Sequence, residues 1–207
     1  MNSAYKHIIF DLDGTLSDSR EGIFNAYYHV IEKLNLKKPD DAVLKTLIGP
    51  PLQKGFADVF DLHGPENANA VKVFREYYSV KGLFENTLYD GIPELLNHLA
   101  QAGALLYVAT SKYSLFATKV LHYFAIDGFF TDVSGADYDG HRSKVDLVAA
   151  ILRKHDIRDP FEVVLVGDTR YDMEAAAELE MDCIGVTYGF CSREEVLSYN
   201  PDYLAGS

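Results

Sequence analysis

Two carboxylates stand two residues apart in Ile8-Ile9-Phe10-Asp11-Leu12-Asp13-Gly14-Thr15-Leu16, where an apolar run breaks at a glycine. Residues 8–10 read as a buried strand, and Gly14 permits a turn through which backbone amides can approach an anion closely. Asp11 is placed to act as a nucleophile, and Asp13 as an acid and then a base. That is the chemistry of phosphoryl transfer through an aspartyl phosphate. The same residues would also serve as a plain polar turn after a core strand.

Asp11-Leu12-Asp13-Gly14-Thr15-Leu16 resembles the first motif of the haloacid dehalogenase superfamily, most of whose members are magnesium-dependent phosphatases. Three further segments fit that resemblance in order. Ala104-Leu105-Leu106-Tyr107-Val108-Ala109 runs into Thr110-Ser111-Lys112, like the second motif, which needs a hydroxyl and a free backbone N–H for phosphoryl oxygens. Alone, the Thr-Ser pair would equally suit the N-cap of the next helix, a position Ser114 could also fill. Arg142-Ser143-Lys144 precedes an apolar face of Val145, Val148, Ala149 and Leu152 at helical spacing and resembles the third motif. The Lys144 ammonium would neutralise Asp11 and the incoming phosphate. Lys112 is the competing candidate, and an ordinary solvated lysine is the alternative reading.

The fourth segment, Val163-Val164-Leu165-Val166-Gly167-Asp168-Thr169-Arg170-Tyr171-Asp172, resembles the family's Gly-Asp-x-x-x-Asp. Asp168 would ligate magnesium, a hard cation that prefers oxygen, and Asp172 would orient a ligand or Lys144 from behind. Read without the resemblance, Asp168 would be a helix N-cap and Asp172 a first-turn acid. The resemblance implies Mg2+ held by Asp11, the Asp13 carbonyl and Asp168, with Thr110, the Ser111 amide and Lys144 on the phosphoryl group.

These residues need a frame that gathers them. Strand and helix patterns alternate outside one helical stretch, the pattern of a parallel sheet with covering helices and of the α/β class. Ile92, Leu95, Leu96 and Leu99 recur at helical spacing behind Pro93, and further strands are expected near 130–134 and 183–187. Every candidate residue then falls at or just beyond a strand's C-terminal end, where open α/β sheets bind ligands. The helical stretch runs from about Asp18 to Phe84, with Ile23, Tyr27, Val30, Ile31 and Leu34 on one face of its first helix. Its position resembles the helical cap of the superfamily's first cap class, which closes over the site and chooses substrates. The resemblance therefore implies a Rossmann-like core of residues 1–16 and 87–207 and a cap of 17–86, with hinges near 16–20 and 81–89. Ile48-Gly49-Pro50-Pro51-Leu52 would be a stiff loop of that cap or a simple interhelical turn. Arg75, Tyr77 and Tyr78 lie on a helix whose aromatics belong to the cap's own core.

The chain has 207 residues, 48% of them hydrophobic, enough for a substantial core with an inserted smaller domain. Its 19 basic and 31 acidic residues give a net charge of −12, which argues against nucleic-acid polymers and anionic membranes as partners. A phosphate monoester therefore needs local positive charge, which a divalent cation and Lys144 would supply. Cys183 and Cys191 lack metal-ligand spacing and are expected as reduced thiols. Met1-Asn2-Ser3-Ala4-Tyr5-Lys6 leads straight into the first strand with no signal-peptide pattern, and no apolar run approaches a membrane span. A cytoplasmic protein is expected.

Asp13 separates chemistries within the superfamily, because dehalogenases have no alkoxide to protonate whereas phosphatases and phosphomutases do. A phosphonatase would need a cap lysine, and Lys33, Lys45 and Lys54 stand in no recognisable context for one. No convincing cap pattern of the sugar-phosphate mutases is present. Lys81-Gly82-Leu83-Phe84-Glu85-Asn86, Gly140-His141-Arg142-Ser143-Lys144 and Gly185-Val186-Thr187-Tyr188-Gly189 resemble the bacterial 5′-nucleotidase branch, close to phosphoglycolate phosphatases. The expectation is a magnesium-dependent phosphomonoester hydrolase for small phosphorylated metabolites, nucleoside 5′-monophosphates ahead of phosphoglycolate and sugar phosphates. A phosphate-binding regulatory protein on the same fold is the competing class, and binding alone would need no acid at position 13. Relatives usually carry a further helix after Pro201-Asp202-Tyr203, and the end at Ser207 implies an exposed core edge.

Overall fold

A computed structural model of the chain describes residues 5–138 and 140–206, so Met1-Asn2-Ser3-Ala4 and Ser207, which figured in the reading of the termini, lie outside it. In chain order the elements are β1 (His7–Phe10), β2 (Ser17–Asp18), α1 (Arg20–Lys33), α2 (Asp41–Lys45), α3 (Leu52–Phe60) and α4 (Gly64–Tyr77). A π-helical turn (Tyr78–Gly82), β3 (Thr87–Leu88), α5 (Ile92–Gln101), β4 (Leu105–Tyr113), α6 (Ser114–Tyr123) and β5 (Phe130–Ala136) follow. Then come α7 (Lys144–Lys154), β6 (Val163–Gly167), α8 (Arg170–Glu178), β7 (Asp182–Val186), α9 (Arg193–Ser198) and β8 (Tyr203–Ala205).

Six strands form one sheet in the order β5-β4-β1-β6-β7-β8, every neighbouring pair parallel. Ile8, Ile9 and Phe10 are buried in succession rather than alternately, as expected of a strand covered on both faces. Ile9 lies in register with Tyr107 on one side and Leu165 on the other. The chain builds outward from β1 to β4 and β5, then reverses to β6, β7 and β8. A crevice opens at such a switch, beyond the carboxyl ends of the central strands. The α/β, Rossmann-like fold read from the sequence is the fold of the protein. Ile9, Tyr107, Leu147, Val148, Ile151, Leu165, Met173, Ala176 and Cys183 join one buried cluster, in which helix faces from α7 and α8 meet the sheet.

Contacts divide the chain into two compact units, one of residues 19–87 and the other of the segments up to Asp18 and from Leu88 onward. The smaller unit is helical and has its own aromatic core. Tyr27 is fully buried, with ring centroids 5.2 Å from Phe56 and 4.9 Å from Phe74, and Phe74 stacks on Tyr78 at 5.4 Å. Residues 46–51 connect α2 to α3, with Gly49 at φ +99°. Lys33 and Lys54 pair with Glu76 and Asp58 on the exposed surface of this unit.

One strand of the six-stranded sheet was not read from the sequence. β8 pairs with β7 from Ile184 to Val186 and supplies the sheet edge after Pro201-Asp202. Three residues are too few for a period-2 pattern to register. Cys183 and Cys191 are free thiols. No helix among the described residues is long and apolar enough to cross a membrane.

Candidate active site

The first carboxylate is positioned by the strand that carries it. The amide of Asp11 still donates to Val166 O at 2.8 Å, as part of the sheet, while its Oδ1 accepts the next amide, Leu12 N, at 2.7 Å. Gly14 then turns at φ +86°, and its amide closes the turn on Ser17 O at 2.8 Å. A side chain at 14 would be strained there, and its Cβ would also stand 2.3 Å from Asp168 Oδ2.

Lys144 opens α7 behind Ser143, whose side chain accepts from Asp146 N while Asp146 accepts from Ser143 N in a capping box. The lysine is buried. Its Nζ lies 2.9 Å from Asp11 Oδ2 and 2.9 Å from Asp172 Oδ1, and it donates to Ala109 O at 3.0 Å. Burial alone would lower the ammonium's pKa, but the two carboxylates overrule it and raise the pKa. Among the described lysines, the one chosen from the sequence is the one beside the first aspartate.

Asp168 follows the last residue of β6 and is fully buried. Its Oδ2 accepts from Phe190 N at 2.8 Å, and the Thr15 hydroxyl reaches its Oδ1 at 3.4 Å. The N-cap of α8 is Thr169 rather than Asp168, and Asp172 closes the capping box by accepting from Thr169 N and Oγ1 at 3.1 and 2.9 Å. Asp172 therefore caps the helix with one oxygen and holds Lys144 with the other.

Oxygens of Asp11, Asp168 and Asp172 all lie within 4.8 Å of one another. Burial first, then the charge of Asp172, pushes the Asp11 carboxyl up to about 6 against the pull of Lys144. Burial, reinforced by Asp172 and Asp11, pushes Asp168 up to about 8. Three buried acids face one ammonium, so with all three ionised two negative charges are left for a cation to balance. The donors are all carboxylate oxygens, suited to a hard divalent ion. The residues present fit the metal that the sequence implied.

The other predicted residues are placed as follows. Thr110 is buried within β4, which runs on to Tyr113, so the Thr-Ser pair does not cap α6. Its Oγ1 accepts from Lys112 N at 3.2 Å, and the Ser111 side chain is exposed. The Asp13 carboxylate stands apart from the acid cluster, bound to Lys112 Nζ at 2.8 and 2.5 Å. The sequence raised Lys112 only as a rival to Lys144, and the two lysines instead serve different carboxylates of the Asp-x-Asp segment, Lys144 that of Asp11 and Lys112 that of Asp13.

The sequence did not point to the Thr187-Tyr188-Gly189-Phe190 segment as part of this site. Besides the Phe190 amide on Asp168, the Tyr188 hydroxyl donates to Thr15 O at 3.1 Å, with its ring against Tyr89 at 4.8 Å. Backbone donors carry no residue-type signature. The one legible hint was glycine at 189, where a Cβ would stand 2.4 Å from Gly14 O and 2.5 Å from Asp168 Cβ.

Residues 8–186 match the family model of haloacid dehalogenase-like hydrolases. A 5′-nucleotidase of Pseudomonas aeruginosa is 38% identical over 200 residues, covering 96% of this chain and 90% of that protein. A phosphoglycolate phosphatase of Vibrio parahaemolyticus is 30% identical over 212 residues, covering 98% and 92%. Among solved structures, a haloacid dehalogenase-like family hydrolase from Streptococcus pneumoniae superimposes with a TM-score of 0.90 at 33% identity, covering 100% of this chain and 96% of that one.

Proposed function

Because the chain belongs to the haloacid dehalogenase-like hydrolases and is a phosphatase, we propose that it hydrolyses nucleoside 5′-monophosphates through an aspartyl phosphate, with Mg2+ as cofactor. One observation carries the mechanistic part: Asp11 is held by Lys144 at 2.9 Å and shares a buried 4.8 Å cluster with Asp168. A carboxylate next to an ammonium could meet a phosphoryl group without net repulsion once a divalent cation offsets the neighbouring acids.

Asp11, the Asp13 carbonyl and Asp168 are the residues that would hold the ion. When bound, Mg2+ would withdraw charge from the phosphoryl oxygens and offset the acids around them. Asp11 attacks phosphorus, the ester P–O bond breaks, and Asp13 gives its proton to the departing oxygen. Water then attacks the aspartyl phosphate, Asp13 takes the water's proton, and Asp11 is regenerated as inorganic phosphate leaves. Thr110, the Ser111 amide and Lys144 hold the phosphoryl oxygens, and Asp172 keeps Lys144 in place.

The substrate part rests on the relative named 5′-nucleotidase, 38% identical over nearly the whole chain. The core groups see only phosphate, so we assign choice of the leaving group to the helical unit of residues 19–87, acting as a cap. Phosphoglycolate and sugar phosphates are the alternatives. The test is kcat/KM measured side by side for several nucleoside 5′-monophosphates, 2-phosphoglycolate and sugar phosphates, in Mg2+ and in EDTA. The nucleotides should lead, and EDTA should silence all activity. A preference for phosphoglycolate or a sugar phosphate would overturn the substrate, and full activity in EDTA would overturn the metal.

A further inference from the structure

We propose that Lys112 is a positioning residue that fixes the carboxylate of Asp13 for proton transfer, acting through Asp13 and not on the phosphoryl group. The inference rests on the reading of Asp13 as acid and base.

The backbone is built to deliver this lysine. β4 pairs with β5 in parallel up to Thr110↔Gly135, and the next partners are Tyr113↔Ala136. Ser111 and Lys112 are therefore extra residues on β4, a local bulge of the kind that re-aims a side chain. The bulge needs a glycine opposite. A Cβ on Gly135 would stand 2.9 Å from Lys112 O and 2.5 Å from the Ser114 Cα. Lys112 N donates to Thr110 Oγ1 at 3.2 Å, which ties the bulge to the preceding residue.

The side chain delivered there is only 5% exposed, and the Asp13 side chain is 18% exposed. A lysine normally keeps its head in water. This one instead places its ammonium against both oxygens of a single carboxylate, at 2.8 and 2.5 Å. The two-oxygen contact restricts rotation of the carboxylate about its own axis, which a single hydrogen bond would leave free. Holding a proton-transfer group in one geometry avoids an ordering cost at the moment of reaction. The division of labour also follows. Lys144 serves Asp11 at 2.9 Å, while Lys112 serves Asp13, so the two carboxylates of the Asp-x-Asp segment are kept apart by separate cations.

The test is steady-state kinetics of the full chain in Mg2+ on p-nitrophenyl phosphate and on alkyl phosphates, whose leaving groups need progressively more protonation. The variants are Lys112→Met, Lys112→Arg, Asp13→Asn and the Lys112→Met/Asp13→Asn double, with thermal unfolding of each. Lys112→Met should lower kcat for alkyl esters by about 10-fold or more, and less for p-nitrophenyl phosphate, with KM changed by less than about 3-fold. Lys112→Arg should recover part of that loss. In the Asp13→Asn background, Lys112→Met should cost nothing further, because its effect passes through the missing carboxylate.

A raised KM with kcat intact would make Lys112 a substrate clamp and overturn the proposal. So would losses that multiply in the double variant, equal losses in kcat/KM for all leaving groups, or wild-type kinetics. If Lys112→Met fails to fold, Lys112→Gln and Lys112→Arg give the same comparison. Wild-type turnover by Asp13→Asn would overturn the acid–base reading itself, whereas a slow Asp13→Asn beside a normal Lys112→Met would overturn the role of Lys112 alone.

Discussion

Lys144 Nζ and Asp172 Oδ1 lie 2.9 Å apart, with side chains only 3% and 0% exposed. The pair links the first turn of α7 to the first turn of α8, and the other Asp172 oxygen caps α8 through Thr169. Removing Asp172 would take away one anchor of the ammonium and the acceptor that caps α8, and would leave Asp11, at 2.9 Å, as the remaining partner of Lys144.

Asp172→Ala should therefore destabilise the protein by about 1–2 kcal/mol, through the lost capping box and the lost anchor on Lys144. Lys144 keeps Asp11 as a partner, so the fold should survive. Turnover should fall because the ammonium loses one of its two anchors. Urea unfolding beside kcat and KM measures both effects, and an unchanged unfolding midpoint would contradict the pairing.

Asp11→Asn should behave in the opposite way. Turnover should vanish, because an amide is neither a nucleophile of this kind nor a good magnesium ligand. Stability at pH 8 should hold or rise. Burial holds the Asp11 carboxyl at about 6, above its ordinary value, so ionised Asp11 is a cost to the folded state that a neutral isostere removes. Thermal unfolding of the metal-free protein checks the second half, and turnover at the wild-type rate would refute Asp11 as nucleophile.

The sequence revealed the parts of this site unequally. Asp11, Lys144, Asp168 and Asp172 were legible because each sits at a strand end or helix start whose apolar pattern fixes the location. The sheet was legible for the same reason, since Ile8-Ile9-Phe10 and residues 163–166 are unbroken buried runs. The pairing of Lys112 with Asp13 was not. It depends on a bulge between Thr110 and Tyr113, and an extra residue in a ladder leaves no periodic trace. Nor was the Phe190 amide on Asp168, because any residue type can supply an N–H.

The pH dependence of metal-free stability should single out Asp168. Burial, with Asp172 and Asp11, holds its folded-state pKa at about 8, far above the 3.8 of an ordinary aspartate. Between those values the folded state binds a proton that the unfolded state has released, so stability falls as pH rises and levels off above about 8. His7, whose pKa is lowered mainly by burial, contributes the opposite slope only below the ordinary histidine range. Unfolding should be followed from pH 6.5 to 8 in EDTA. The wild type should lose stability across that window, and Asp168→Asn should lose less. Added Mg2+ should flatten or reverse the wild-type slope, because it competes with the proton for the same oxygens. A stability that rises with pH in EDTA would contradict the assignment.

Gly189 tests the segment that the sequence marked only as a branch resemblance and did not place in the site. A methyl group there would meet Gly14 O at 2.4 Å and Asp168 Cβ at 2.5 Å, backbone and buried side chain that cannot simply rotate away. Gly189→Ala should therefore push the segment off Asp168 and lengthen the hydrogen bond from Phe190 N, now 2.8 Å. Overpacking of this kind costs about 1–3 kcal/mol. Because the amide orients a predicted metal ligand, Mg2+ affinity measured by calorimetry should weaken by about 10-fold. Gly128→Ala is the matched control, since a Cβ there meets nothing within 4 Å. The control should leave both stability and Mg2+ binding unchanged, and equal behaviour of the two variants would show that Gly189 and Phe190 do not hold Asp168.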